Sequence, residues 1–201
     1  MRKETILPEH YYHIYNRGVN QEPVFFSRAN YVFFLQRLRG YFTDAAAHII
    51  AYCLMPNHYH LLVLVKVVDF GHEVMQPFGV SYTKAINKQE ARVGPLFQGP
   101  FKYRLVQREG YLLHLSRYIH LNPVAAGLVK YPADWEFSSY REYVGLRPGT
   151  LPKPEPVLSY FEAYSKRNGV LGKSSVSEAY ADFVCGTDDH RTGLVADLLL
   201  D

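Results

Sequence analysis

The chain has 201 residues, with 22 Lys and Arg against 19 Asp and Glu, a formal net charge of +3 and a pI near 8.7. Hydrophobic residues make up 48% and aromatic residues 15%, with 17 Tyr and 1 Trp. This length predicts one well-buried domain with an appendage and argues against two full domains, while the mild positive charge permits a polyanionic partner without requiring one.

The two cysteines and the distribution of apolar residues bear on the compartment. Cys53 and Cys185 are far apart and have no metal-type spacing, so the sequence predicts no disulfide framework. No N-terminal signal pattern and no apolar run of membrane-spanning length is present. We therefore expect a cytoplasmic protein with no membrane association.

The first half of the chain alternates between strand and helix patterns. Apolar and aromatic residues alternate over residues 10–16, whereas they follow helical spacing over residues 28–42. A second strand is predicted over residues 45–54. The turn Met55-Pro56-Asn57 then folds a third strand, which starts at His58, back onto it.

The second half adds a helix over residues 80–91, a strand over 101–106 and a third helix from residue 107. That helix should end at Asn122, because a residue that precedes proline is biased out of the helical region. The order of elements predicts an α+β, ferredoxin-like split β-α-β sandwich with a four-stranded, mostly antiparallel sheet.

A proline-rich segment over residues 148–156 predicts a boundary. We expect a catalytic domain over residues 1–147. Residues 148–201 should form a linker and a C-terminal helical extension, with short helices over 157–168 and 175–184.

Two histidines stand at the start of the third predicted strand. Side chains two apart point to the same face of a strand, so His58 and His60 should be neighbours. Burying two imidazoles is costly without partners, and neutral imidazole is a common metal ligand. The pair therefore indicates a metal site, although both rings could instead be hydrogen-bonded at a solvated strand end.

The third predicted helix carries a second group of functional side chains. Tyr118 and Asn122 are four residues apart and share one helix face, which would place a phenol beside an amide oxygen. Ionising a phenol at neutral pH costs about 4 kcal/mol, and a nearby divalent cation offsets part of that cost. Alternatively, Tyr118 packs and Asn122 caps the helix. Tyr111, seven residues earlier, is a rival nucleophile on nearly the same face.

Basic residues follow the histidine strand and alternate with the aromatic residues Tyr82, Phe97 and Tyr103. Such a mixture is typical of surfaces that follow a single-stranded backbone and stack its bases, although a solvated charged face has the same composition and Tyr82 could belong wholly to the packing side of its helix. The basic residues are Lys84, Lys88, Arg92, Lys102, Arg104 and Arg108.

The end of the first predicted strand carries two further candidate DNA-binding residues. Asn16 and Arg17 could read base edges or phosphates of a hairpin foot. Asn16 could equally shape the turn before Gly18.

Several longer segments, taken in order, resemble one known group of proteins. They are YYHIYNRGVNQEPVF, MPNHYHLLVLV, GPLFQGPFKYRLV, LSRYIHLNPVAAGLV and WEFSSYREY. Together they resemble the REP-associated tyrosine transposases, which belong to the HUH single-tyrosine transposases. The resemblance covers residues 11–144.

This resemblance implies a metal-dependent, single-stranded DNA endonuclease and strand transferase that acts near palindromic hairpins. It implies that His58 and His60 hold a divalent metal with Asn122 as the third ligand. Tyr118, rather than Tyr111, would attack the phosphodiester and give a covalent 5′-phosphotyrosine. Mg²⁺ or Mn²⁺ fits phosphoryl transfer at a site that keeps open water positions.

The expected partner is single-stranded DNA that carries a hairpin, such as a REP-like palindrome, and the chain is expected to act as a monomer or a homodimer. Two alternatives remain. The first is a ferredoxin-like nucleic-acid-binding module without cleavage activity. The second is a zinc hydrolase that uses the same histidines with a bound hydroxide.

Overall fold

The computed structural model describes residues 5–107, 109–167 and 175–186. These residues form two compact units. The first contains the described residues of Met1–Ile49 and Leu54–Leu105, and the second contains those of Ile50–Cys53 and Val106–Asp201.

Four strands form one sheet. They are β1 (His10–Arg17), β2 (Ala47–Met55), β3 (His58–Val65) and β4 (Lys102–Leu105). Their order in the sheet is β2-β3-β1-β4, and β1 pairs antiparallel with both β3 and β4. The predicted α+β fold with a four-stranded antiparallel sheet is therefore confirmed.

Two helices of the first unit, α1 (Arg28–Tyr41) and α2 (Gln76–Gln89), pack through aromatic side chains. The ring of Phe34, which is fully buried, lies 4.9 Å from that of Tyr82 and 5.1 Å from that of Tyr59 on β3. Successive residues of a strand point to opposite faces, so Tyr59 and the flanking histidines lie on opposite faces of the sheet. The helix layer covers the face that carries Tyr59.

The sequence predicts helix over residues 80–91 without placing where the helix begins, and the structure starts α2 at Gln76. A π-helical turn at Gly71–Met75 leads directly into the helix, so the backbone is already helical when it reaches Gln76. A π-turn leaves no simple periodic pattern of apolar residues, which is why the start is not visible in the sequence.

The second unit is helical apart from the strand residues 50–53. Its helices are α3 (Glu109–Ala125), α4 (Tyr140–Tyr143), α5 (Glu155–Arg167) and α6 (Val176–Cys185). Tyr143, Phe161 and Tyr180 are buried at its centre, with the rings of Tyr143 and Tyr180 5.0 Å apart. The two predicted C-terminal helices are present within two residues of their expected starts, and the domain boundary at residue 148 stays a prediction.

The predicted end of the third helix at Asn122 is wrong, because α3 continues through Pro123 to Ala125. Proline lacks an N–H but keeps its carbonyl, which accepts from the Leu128 N–H at 2.9 Å. The Ala126 N–H donates to the Asn122 carbonyl at 2.9 Å, so the last turn is closed despite the proline. The chain then leaves the helix at Gly127, whose φ of +67° favours glycine.

None of the helices described here is long and apolar enough to cross a membrane.

Candidate active site

His58 is placed by the tight turn between β2 and β3. The Gly18 N–H donates to the Asn57 carbonyl at 2.8 Å, and this hydrogen bond ties the turn to the end of β1. The Asn57 side chain donates from Nδ2 to the Gln21 carbonyl at 3.0 Å, which leaves its Oδ1 to accept from Nδ1 of His58 at 2.7 Å. Because this bond places the proton on Nδ1, Nε2 of His58 is the nitrogen that could bind a metal.

His60 lies beside His58 on the same face of β3, with the two ring centroids 5.0 Å apart. Nδ1 of His60 is hydrogen-bonded to Nε2 of His13 on β1 at 2.9 Å. Both His13 and His60 are fully buried. As at His58, the contact at Nδ1 leaves Nε2 as the nitrogen of His60 that could bind a metal.

The environment of His60 favours the neutral ring. Burial is the main cause that holds the pKa of His60 well below its usual value, and the neighbouring His13 and His58 lower it further. A neutral imidazole keeps a lone pair on one nitrogen, which is the form that binds metal ions.

The two histidines fit a divalent cation as a pair of nitrogen ligands. Within the described chain, no three His, Cys, Asp or Glu side chains are arranged to hold a metal ion. A third protein ligand would therefore have to be of another type, as an asparagine amide is.

Three of the predicted DNA-binding residues share the sheet face of the histidines. In the antiparallel ladders Arg17 lies opposite His58, whereas Lys102 lies opposite Tyr15 and Tyr15 opposite His60. Residues directly opposite each other point to the same face. By the same rule Arg104, opposite His13, also lies on this face. Both β4 side chains are exposed, so the histidine face carries an accessible positive charge.

Three other basic residues belong to the helix layer. Lys84 and Lys88 are exposed on α2, and Arg92 follows its C-terminus. The Arg92 guanidinium makes an ion pair with Glu22 at 3.3 Å and lies 5.6 Å from the ring of Phe26. The predicted basic stretch is thus divided between two layers of the first unit. The remaining predicted residue, Arg108, lies outside the described residues.

Two interpretations that the sequence left open can be compared with the structure. Tyr82 is fully buried and donates from its hydroxyl to the Val24 carbonyl at 2.8 Å, so it packs and is not available for base stacking. Asn16 is 8% exposed; its Nδ2 donates to the Gly99 carbonyl at 3.0 Å and its Oδ1 accepts from the Arg17 N–H at 2.9 Å. Asn16 therefore does shape the chain where β1 ends.

Tyr118 and Asn122 lie one turn apart on α3 in the second unit, and both are partly exposed. Nδ2 of Asn122 donates to the Tyr118 carbonyl at 3.4 Å, so Oδ1 is the atom that a cation would use. The shared helix face is the one predicted from the spacing.

The opposite side of the same helix turns is polar and buried. Burial lowers the pKa of His120 to about 3, so its ring is neutral at physiological pH. His120 makes hydrogen bonds to Tyr180 at 3.0 Å and to Ser139 at 2.9 Å.

A cavity of about 890 Å³ lies in the first unit, between α2, β4 and the loop before β4. Tyr59, Phe97, Phe101 and Tyr103 contribute aromatic walls, and Lys84 lines it as well. Because Tyr59 is on the face opposite the histidines, this cavity is separate from the histidine pair.

Sequence reasoning missed two side chains of the histidine site. Asn57 was assigned only to the turn, although its amide sets the protonated nitrogen of His58. His13 is 47 residues from His60 in sequence, so only the register of β1 against β3 brings them together. The signal available in advance was a histidine inside an otherwise apolar strand pattern.

Comparisons with known proteins agree with this architecture. Residues 7–122 match the family described as "Transposase IS200 like", which covers more than half of the chain. A putative REP-associated tyrosine transposase from Haemophilus influenzae is 27% identical over 105 residues; the match covers 47% of this chain and 60% of the relative's length.

A solved structure of a REP-associated tyrosine transposase bound to a REP hairpin superposes with a TM-score of 0.55 at 19% identity, covering 76% of this chain and 93% of the other. At this identity the likeness shows the fold. The resemblance recognised in the motifs is confirmed, and the chain belongs to the IS200-like transposase family.

Proposed function

We propose that this protein is a metal-dependent, single-stranded DNA endonuclease and strand transferase that acts beside palindromic hairpins through a covalent 5′-phosphotyrosine at Tyr118. The observation that carries the proposal is the sheet face of the first unit. There, His58 and His60 present two nitrogens for a cation, and Arg17, Lys102 and Arg104 supply positive charge for a DNA backbone.

In this proposal His58 and His60 hold Mg²⁺ or Mn²⁺, with Oδ1 of Asn122 as the third ligand. When bound, the cation would polarise a phosphate oxygen and neutralise the charge that develops on it. Asn57 keeps His58 in the tautomer that binds a metal through Nε2, because its Oδ1 accepts from Nδ1, and His13 occupies Nδ1 of His60 so that Nε2 of His60 is the nitrogen left for the cation.

Tyr118 is the nucleophile. Its phenolic oxygen forms a bond to phosphorus as the proton leaves for water or a neighbouring base, and the bond between phosphorus and the 3′ oxygen breaks. The leaving oxygen takes up a proton and becomes a free 3′-OH. Attack of a 3′-OH on the phosphotyrosine reverses the step, so rejoining needs no external energy source.

The hairpin substrate is supported by the solved structure of the REP-associated tyrosine transposase, which is bound to a REP hairpin. The basic residues on the histidine face add sequence-independent attraction to a single strand. The face is edged by only four residues of β4, so we expect it to bind a short single-stranded stretch beside the hairpin.

The decisive experiment incubates the protein with hairpin-bearing single strands and Mn²⁺, and measures a protein–DNA adduct that resists denaturation. Tyr118→Phe should abolish the adduct while hairpin affinity is kept, and Tyr111→Phe, the matched control on the same helix, should retain it. An adduct in Tyr118→Phe would refute the assignment. Tight hairpin binding by a wild-type protein that forms no adduct would instead identify a binding module. If the protein instead cleaves DNA without forming an adduct, and this cleavage is lost in His58→Ala, it is a metal-dependent hydrolase.

A further inference from the structure

In the turns around Tyr118, helix α3 has two different faces. One carries the residues proposed for chemistry, and the other contacts α6. Each residue advances the helix by about 100°, so Ser116, Arg117 and His120 fall within an arc of about 100°. Tyr118 and Asn122 fall on the other side, about 170° from the middle of that arc. The residues proposed for chemistry therefore point in the opposite direction from Ser116, Arg117 and His120 on the same helix.

A chain of buried hydrogen bonds begins on that second face. Oγ of Ser116 donates to the Leu113 carbonyl at 2.8 Å and lies 2.8 Å from the Tyr180 hydroxyl on α6. The Tyr180 hydroxyl lies 3.0 Å from Nδ1 of His120, and Nε2 of His120 lies 2.9 Å from Oγ of Ser139. Ser116, His120, Ser139 and Tyr180 are all fully buried.

The donors in this chain can be assigned. Because the Ser116 hydrogen is used by the Leu113 carbonyl, the Tyr180 hydroxyl must donate to Ser116. The Tyr180 oxygen then accepts from Nδ1–H of His120, and Nε2 of His120 accepts from the Ser139 hydroxyl at 2.9 Å, the nearer of two acceptors, because the Tyr52 carbonyl lies 3.2 Å from the same oxygen. Each link has one donor and one acceptor, so the chain is satisfied in this direction.

A second connection between the same helices lies nearer the surface. The Arg117 guanidinium donates to the carbonyls of Val184 at 3.3 Å and Gly186 at 2.6 Å, and lies 5.6 Å from the ring of Phe183. These carbonyls stand at the C-terminal end of α6, where the last helical carbonyls lack partners within the helix. Arg117 therefore binds the end of α6, while Ser116 and His120 bind its middle through the Tyr180 hydroxyl.

We propose that α6 is a positioning element for the nucleophile: its contacts with Ser116, Arg117 and His120 fix the rotation of α3 about its axis, and with it the direction of Tyr118. The proposal rests on the function proposed above. Turning α3 by one residue would break every hydrogen bond of this chain and leave several buried polar groups without partners. Apolar packing is not directional in this way, so it would resist the same rotation less strongly. Tyr180 and His120 are thus positioning residues rather than catalytic ones.

The test compares two variants of the second unit. Tyr180→Phe keeps the aromatic ring but removes the hydroxyl at the centre of the chain. Val157→Ala, the control, shortens a fully buried side chain of α5 without touching any link. The readouts are the single-turnover rate of adduct formation, hairpin affinity, thermal stability and hydrogen exchange of the α3 amides.

We expect Tyr180→Phe to slow adduct formation by about tenfold or more with unchanged hairpin affinity, because a small misplacement of a reacting group is enough for such a loss. Val157→Ala should lower stability and keep the rate. The double variant Ser116→Ala, Tyr180→Phe should be no slower than Tyr180→Phe alone, because both residues belong to one chain.

Equal slowing by the two single variants at equal stability would overturn the proposal, and so would an unchanged rate in Tyr180→Phe. If the wild-type protein forms no adduct, the proposed function fails. Hydrogen exchange then decides the role of α6: faster exchange of α3 in Tyr180→Phe than in Val157→Ala supports it, and equal exchange overturns it.

Discussion

The histidine pair of the first unit and the tyrosine helix of the second are held in place by different means. His58 and His60 lie two residues apart on one strand; Asn57, the partner of His58, directly precedes it, and His13, the partner of His60, lies on the neighbouring strand. Tyr118 lies on a helix whose opposite face is bound to α6.

The difference teaches that the two parts respond differently to mutation. A sheet ladder fixes the direction of its side chains through backbone hydrogen bonds, which side-chain substitutions leave intact. A helix can rotate unless side chains on its buried face prevent it. The position of the histidine pair should therefore be disturbed only by substitutions in the pair and its direct partners. The position of Tyr118 should also be disturbed by substitutions far away in sequence.

The largest effect expected is that of His60→Ala. Losing one of the two proposed nitrogen ligands should reduce adduct formation on the order of a thousandfold or more, because several kcal/mol of charge stabilisation would be lost with the cation. Mn²⁺ binding, measured by calorimetry, should be lost in His60→Ala and kept in Tyr118→Phe.

The exposed histidine variant His72→Ala is the control and should behave like the wild type. Retained Mn²⁺ binding in His60→Ala would show that the metal binds elsewhere. The metal could then no longer be assigned to the histidine pair of the first unit.

A second prediction sharpens the histidine part by testing which layer binds DNA. Replacing Lys102 and Arg104 with Gln should remove two phosphate contacts, which lowers the slope of log affinity against log salt by about 1.4 for single strands. The same charge change at Lys84 and Lys88 is the matched control and should alter the slope less. Salt titrations of hairpin binding measure the slope for each double variant. A larger change of slope for the Lys84 and Lys88 variant would assign DNA binding to the helix layer.

A third prediction makes the same chemical change in both units. Tyr82→Phe removes one buried hydrogen bond, to the Val24 carbonyl, and should cost about 1 kcal/mol of unfolding free energy. Tyr180→Phe removes the hydrogen bonds of the hydroxyl to both Ser116 and His120 and should cost about 1–3 kcal/mol. Denaturant unfolding measures both values. A smaller loss of unfolding free energy for Tyr180→Phe than for Tyr82→Phe would contradict the importance assigned to the hydrogen bonds that Tyr180 makes with Ser116 and His120.

The smallest effect concerns the two cysteines of the second unit. Burial raises the pKa of the Cys53 thiol, so its reactive thiolate should be absent at pH 8, whereas Cys185 is exposed. Iodoacetamide should label only Cys185 in the native protein and both thiols after denaturation. Labelling of native Cys53 would show that this part of the second unit opens readily.

Some of these features could be predicted from the sequence, and the reasons are physical. The shared face of His58 and His60 follows from the two-residue period of a strand, and that of Tyr118 and Asn122 from the helical period. The contact of His13 with His60 depends on strand register. The link from His120 to Tyr180 joins residues 60 apart, which no local pattern encodes. Local periodicity thus predicts the direction in which a side chain points, whereas its hydrogen-bond partners are seen only in the tertiary structure.

The strands at the two edges of the sheet have a consequence for aggregation. At β2, the Tyr52 carbonyl accepts from the Ser139 N–H at 3.0 Å and the Ile50 carbonyl accepts from the Tyr143 hydroxyl at 3.0 Å, so these groups are already engaged. At the other edge, β4 is only four residues long and carries Lys102 and Arg104. Occupied backbone groups, short length and like charges all discourage a second chain from extending a sheet. Crowded copies of this protein should therefore resist joining edge to edge into fibres.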